Sequence, residues 1–169
     1  MLSKKIEKAL NEQIKIEAES SQFYLAMASW AETKGFAGVA AFLYTHSDEE
    51  RVHQLKLMKF INERGGHALV PLLSKPKETF KSVQEVFESL LKHETHVTQT
   101  INEVVHSCLQ EKDYTTHNFM QWYVAEQIEE EALARTIMDK IHLIGNDNGG
   151  LYLFDRDIQS LMPANTNAQ

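Results

Sequence analysis

A chain of 169 residues with 43% hydrophobic side chains can bury one core and is too apolar to be disordered. Acidic residues outnumber basic ones, 24 to 17, which argues against nucleic acid as the main partner and suits the handling of cations. A single cysteine, Cys108, excludes an intrachain disulfide and fits a reducing cytoplasm, and no run of about 18 apolar residues is present to span a membrane.

The N-terminal stretch "MLSKKIEKALNEQ" has neither the apolar segment nor the small-residue cleavage site of a secretory leader, so none is expected. Glycine and proline punctuate the remainder of the chain. Hydrophobic periodicity between them predicts helices over roughly 4–34, 38–64, 82–111 and 115–144, and a short fifth over roughly 152–161. Gly35 and Gly38 interrupt the first two, Gly65 and Gly66 end the second, and "EKDY" (Glu111 to Tyr114) separates the third from the fourth. Residues 1–162 are expected to form one helical unit, with "PANTNAQ" (163–169) as a disordered tail. Period-two alternation is absent, so no sheet is expected.

Short, long and short connections between long helices predict an all-α, four-helix bundle with one crossover. The segment 65–81 holds 17 residues. Extended, it reaches about 56 Å, at roughly 3.3 Å per residue. A helix of about 27 residues is only about 40 Å long. The crossover can therefore return along the whole bundle and make the second and third helices parallel.

Each long helix has one inward stripe at i, i+3, i+4 spacing. The first runs Ile6, Leu10, Ile14, Glu17, Ser21, Tyr24, Ala28, Ala31; the second Phe42, His46, Glu50, His53, Leu57, Phe60. The third runs Val83, Phe87, Leu90, Glu94, Val97, Ile101, Val104; the fourth Met120, Tyr123, Gln127, Glu130, Ala134, Ile137, Ile141. Every stripe carries an acid near its middle. Counted from the turns near Phe36 and Lys112, the residues Glu17, Glu50, His53, Glu94, Gln127 and Glu130 fall at nearly one height, within roughly 7.5 Å at about 1.5 Å per residue. Glu17 to Glu50 and Glu94 to Gln127 are both 33 residues apart, so the two helical hairpins place their polar groups alike.

A buried charge stripped of its partner costs about 3–5 kcal/mol. Four of them rival the roughly 5–15 kcal/mol that holds a whole domain together. The carboxyls must be protonated, paired or metal-bound, and no Lys or Arg lies on the stripes at that height. A formal charge of −4 matches two divalent cations, and oxygen donors with one imidazole suit iron or manganese. A lone Glu-x-x-His step is common by chance. Six such residues at one level on four inward stripes point to a metal pair.

The motifs "IEAESSQFY", "HSDEERVH", "KHE", "FMQWYVAEQIEEE" and "GLYLFD" resemble the haem-free prokaryotic ferritins, over about residues 3–161. The resemblance implies a ferroxidase centre: Glu17, Glu50 and His53 around one iron, and Glu50, Glu94, Gln127 and Glu130 around the other, with Glu50 bridging. It implies oxidation of Fe(II) to Fe(III) by O2 or H2O2, and a ferric mineral stored in a hollow homo-oligomer of 24 copies. From pattern alone, Glu49, Glu126 and Glu129 read as a solvated acidic face. The resemblance makes them a third iron site. It also makes Tyr24 a residue that hydrogen-bonds the centre, whereas the stripe alone makes it a core filler.

Trp122 is expected to pack between helices, His46 to be a satisfied histidine near the ligands, and His93, His96, His106, His117 and His142 to be structural or exposed. Gln127, a neutral amide, is a weaker ligand than a carboxylate or imidazole, so the second position is expected to release its product. The related haem-binding family has a methionine at about position 52 and a histidine in the second half-site. Val52 and Glu130 stand there, so no haem is expected. A soluble di-iron oxidase is the alternative reading, on a chain short for an organic-substrate pocket.

Overall fold

In the computed structural model, residues 2–161 are described, so the tail expected at 163–169 lies outside the described residues. Five α-helices occur in chain order: α1 Lys4–Thr33, α2 Ala37–Glu63, α3 Val83–Gln110, α4 Tyr114–Ile144 and α5 Asn148–Asp157, with a 3₁₀ turn Ile158–Leu161 continuing α5. No strand occurs among the described residues. The long helices match the expected spans to within a residue; α5 begins earlier because Asp147 accepts from Gly150 N–H and starts it before Leu151.

Local chemistry starts most helices. Ser3, Ser82 and Asp113 each accept from the backbone N–H three residues on, and Glu85 reaches back to the N–H of Lys81. Helix α2 has no cap of its own. Asp155 of α5 caps it from 116 residues away, accepting from Val39 N–H at 2.8 Å. Gly38 permits this close approach: a Cβ there would lie 1.7 Å from the Asp155 carbonyl oxygen.

Helices α1 and α2 run antiparallel, as Glu17–His53 and Glu32–Tyr44 contacts require. Helices α1 and α3 are antiparallel too, from Lys5–Gln110 to Ser20–His93. Helices α2 and α3 are therefore parallel, as the crossover length allowed. The crossover climbs α1: His67 and Leu69 bond Glu7 and Asn11, Ser74 bonds Glu19, and Phe80 meets Trp30 edge-on.

Every residue of the first three inward stripes is buried. On the fourth only Glu130 is half-buried. The core is not continuous along the bundle. One apolar cluster takes Tyr24–Ala31 of α1, Val39–Leu43 of α2, Val83–Leu90 of α3 and Ala134–Ile141 of α4, closed by Phe154 and Ile158. The other takes Leu2–Ile14, Leu57–Ile61, Val97–Cys108 and Met120–Tyr123 with their neighbours. The polar residues at one height fill the gap between the two.

Candidate metal centre

Two helical hairpins build the polar layer. In the α1–α2 pair, Ser21 and Ser47 clasp the helices together: each hydroxyl donates to the other residue's carbonyl oxygen at 2.8 Å. Small side chains allow that approach, and it brings Glu17 of α1 against Glu50 and His53 of α2. His53 Nδ1 lies 3.3 Å from Glu50 Oε2 and 3.8 Å from Glu17 Oε2. These three residues offer ligand atoms within 4.8 Å of one another, and all three are buried. Tyr123 donates to the His53 carbonyl oxygen at 2.7 Å, and Trp122 packs edge-on to the imidazole, between helices as expected.

In the α3–α4 pair, Glu94 is fully buried and both its oxygens are engaged. Tyr24 donates to Oε1, and the Gln127 amide donates to Oε2 at 3.2 Å. The same amide also reaches Thr98 Oγ1 and the Glu94 carbonyl. Tyr24 is thus both core filler and hydrogen-bond partner.

Burial dominates the electrostatics of the layer. It raises the pKa of Glu17 and Glu50 well above the carboxylate range; Glu50 adds to the rise at Glu17, and Glu94 to the rise at Glu50. Glu94 is raised by burial and partly relieved by Tyr24 and Gln127. Glu130 is pushed up to about 8 by burial, then by Glu94. No Lys or Arg is ion-paired with these four carboxylates among the described residues; histidines are their only partners of that kind. Glu50 Oε2 is buried without a hydrogen bond, the kind of orphan that a bound cation satisfies.

The residues expected to share a third position lie near enough for Glu129 and Glu49 to add to the burial that raises Glu126, without closing into one metal-sized group among the described residues. Glu49 is half-buried and gathers with His46 and Glu130. Glu126 is half-buried and feels Lys56, whose ammonium sits 3.4 Å over the Trp122 ring; Glu129 is exposed. Neither joins a metal-sized group among the described residues. Cys108 is buried near the end of α3, as expected.

Sequence reasoning missed two supports. Gln13 donates to Glu17 Oε1 at 2.7 Å, and Ser20 meets His93 Nε2 at 2.7 Å. Gln13 stands one turn before Glu17 on the same face, a spacing that would have found it. His93 left no such signal, because its partner comes from another helix.

The chain matches the family model for the ferritin-like domain over residues 7–144. It is 46% identical to a bacterial non-heme ferritin of Campylobacter jejuni over 161 residues, covering 95% of this chain and 96% of the relative. It is 38% identical to the bacterial non-heme ferritin of Escherichia coli over 161 residues, 95% and 98% of the two chains. An open-pore ferritin of Archaeoglobus fulgidus superimposes with a TM-score of 0.92 at 40% identity, covering 93% of this chain and 96% of that one. Four antiparallel-paired helices, a parallel crossover and a buried carboxylate–histidine layer thus coincide with a full-length sequence match, and the chain belongs to the ferritin family.

Proposed function

We propose that the polar layer is a di-iron ferroxidase centre whose substrate is Fe(II). As a ferritin the protein stores iron, and ferroxidase activity is typical of its family. The observation that carries the residue assignment is the set of buried Glu17, Glu50, His53 and Glu94 with half-buried Glu130, which among the described residues has no Lys or Arg ion-pair partner and leaves Glu50 Oε2 without a hydrogen bond. Divalent cations are the counter-charge that such a layer accepts.

In this reading Glu17, Glu50 and His53 hold one Fe(II), and Glu50, Glu94, Gln127 and Glu130 hold the second, with Glu50 between them. Carboxyls whose pKa values are raised must give up protons as the metal binds, so loading releases protons and weakens as pH falls. Each Fe(II) gives one electron to O2 or H2O2. Tyr24 keeps Glu94 oriented, and the neutral Gln127 oxygen makes the second position the weaker one, from which Fe(III) leaves. Glu49, Glu126 and Glu129 form the third iron position on the way out. The ferritin relationship supports a homo-oligomer, and we extend that to a hollow cage of 24 copies in the cytoplasm. Among the described residues no helix is long and apolar enough to cross a membrane.

The test adds excess Fe(II) in air, follows ferric formation, and then sizes the product and counts its iron. A large particle holding far more than two irons per chain is expected. Glu17→Ala or Glu94→Ala should slow the fast phase by roughly 10–100-fold or more, the scale on which a lost ligand or its support acts. Unchanged rates in both variants sink the site assignment. A small oligomer with at most two irons per chain, and precipitating excess, replaces storage with a di-iron oxidase.

A further inference from the structure

Packing alone does not explain Gln13. It is 1% exposed and stands beside Ile14, one turn from Leu10, where an apolar side chain would be buried without stranding polar atoms. Its amide offers two N–H groups and two oxygen lone pairs. Among the described residues it makes one hydrogen bond, from Nε2 to Glu17 Oε1 at 2.7 Å. Its own Oε1 is buried with no partner, and the other such side-chain atom among the described residues is Glu50 Oε2. Both orphans belong to neighbours of one carboxyl, Glu17. A side chain kept only for stability would not leave an acceptor stranded in this way. The partner fixes the orientation of the amide. Turned over, its oxygen would face Glu17 Oε1 at the same distance, acceptor against acceptor once the carboxyl is ionised. Long helical side chains lean toward the N-terminus, so Glu17 lies back over Gln13, and one rigid helix sets the pair. That contact engages Oε1 of Glu17. Oε2 is left, and it is the oxygen 3.8 Å from His53 Nδ1. Helix α1 thus supplies one orienting donor to each half of the layer, Gln13 to Glu17 and Tyr24 to Glu94.

We infer that Gln13 is a positioning residue for the first iron: its amide holds one oxygen of Glu17 so that the other is presented to the ion with Glu50 and His53. This rests on the di-iron reading. Gln13 is not itself a ligand and acts only through Glu17, in two ways. A donor to a carboxylate favours its charged, ligating form over the protonated one. The last torsion of a glutamate is also broad and two-fold, so an unheld carboxylate samples orientations that do not ligate. Fixing it before the ion arrives removes that ordering from the cost of binding. Hydrogen-bond partners of metal ligands change metal affinity by about 10–100-fold, and Gln13 is assigned an effect of that size at the Glu17 position. Glu94 has its own donors, Tyr24 and Gln127, and does not depend on Gln13.

Zn(II), which does not change oxidation state, is the probe, titrated into the metal-free assembled protein against a chelating indicator. The class of zinc sites that Glu17→Ala abolishes is the first position. Gln13→Met keeps an unbranched side chain of similar length without the donor, and should weaken zinc at that class by about 10–100-fold. Gln13→Asn keeps the amide but withdraws it by one methylene, and the same loss is expected, which separates reach from polarity. In a Glu17→Ala background, Gln13→Met should change the remaining zinc affinities no further, because an effect carried by Glu17 disappears with it. Wild-type affinity at the first class in either assembled Gln13 variant overturns the inference and leaves the di-iron reading standing. So does a loss of the same size when Glu17 is already absent, the mark of a general loosening of the helices. A wild type with no zinc class that depends on Glu17 overturns both.

Discussion

Glu130→Gln tests whether the centre is built at the expense of stability. Burial, and then Glu94, move the Glu130 carboxyl from 4.5 to about 8. The unfolded chain releases this proton near 4.5, while the folded chain holds it until about 8. The resulting penalty is absent below 4.5, grows as pH rises through that window, and levels off above 8. At about 1.36 kcal/mol per pH unit it amounts to about 0.8 kcal/mol at pH 5 and about 3.3 kcal/mol at pH 7. Glutamine has nearly the same shape and no charge to bury. The metal-free variant should therefore exceed the wild type by roughly 1 kcal/mol at pH 5 and roughly 3 kcal/mol at pH 7. At about 2–4 °C per kcal/mol for a chain of this size, the gap at pH 7 is roughly 6–13 °C in Tm. Calorimetry of the metal-free assemblies at both pH values measures it. A gap that does not widen with pH, or a variant less stable at pH 7, refutes the idea that desolvation penalises the Glu130 charge.

Tyr24→Phe removes the donor to Glu94 Oε1 and should cost about 1.5–3 kcal/mol, because the acceptor is a buried carboxylate; urea denaturation reads the loss, and a change below about 0.5 kcal/mol argues that the contact is incidental. Gly38→Ala drives a Cβ into the Asp155 carbonyl, so α5 must shift and α2 loses its cap, at a cost of about 1–3 kcal/mol, with faster hydrogen exchange at Val39 as the signature. Lys112, between α3 and α4, is a non-glycine residue with φ of 55°, so Lys112→Gly should stabilise by up to about 1 kcal/mol, visible as a raised Tm.

Much of the centre was legible because helices turn spacing into height. Glu17, Glu50, His53, Glu94 and Gln127 sit on stripes whose other members are apolar, and counting from two turns was enough to level them. The third position was less legible. Glu49, Glu126 and Glu129 lie beside the stripes, where pattern does not tell a lined pocket from a solvated face; the fold gathers Glu49 with His46 and Glu130, and Glu126 feels both Glu129 and Glu49. His46 is buried and bonded to the Phe42 carbonyl, as its stripe position suggested, but that position does not report which ring nitrogen makes the bond.

The chain by itself determined four amphipathic helices, their breaks, the parallel crossover and the level of the polar layer, since each is set by local periodicity and chain length. Tertiary structure alone decided which atoms face which. The capping of α2 by Asp155, the Ser21–Ser47 clasp, the Ser20–His93 bond and the placing of His46 Nε2 opposite Glu130 depend on how helices approach one another sideways and on side-chain torsions. Spacing along one helix carries no record of either.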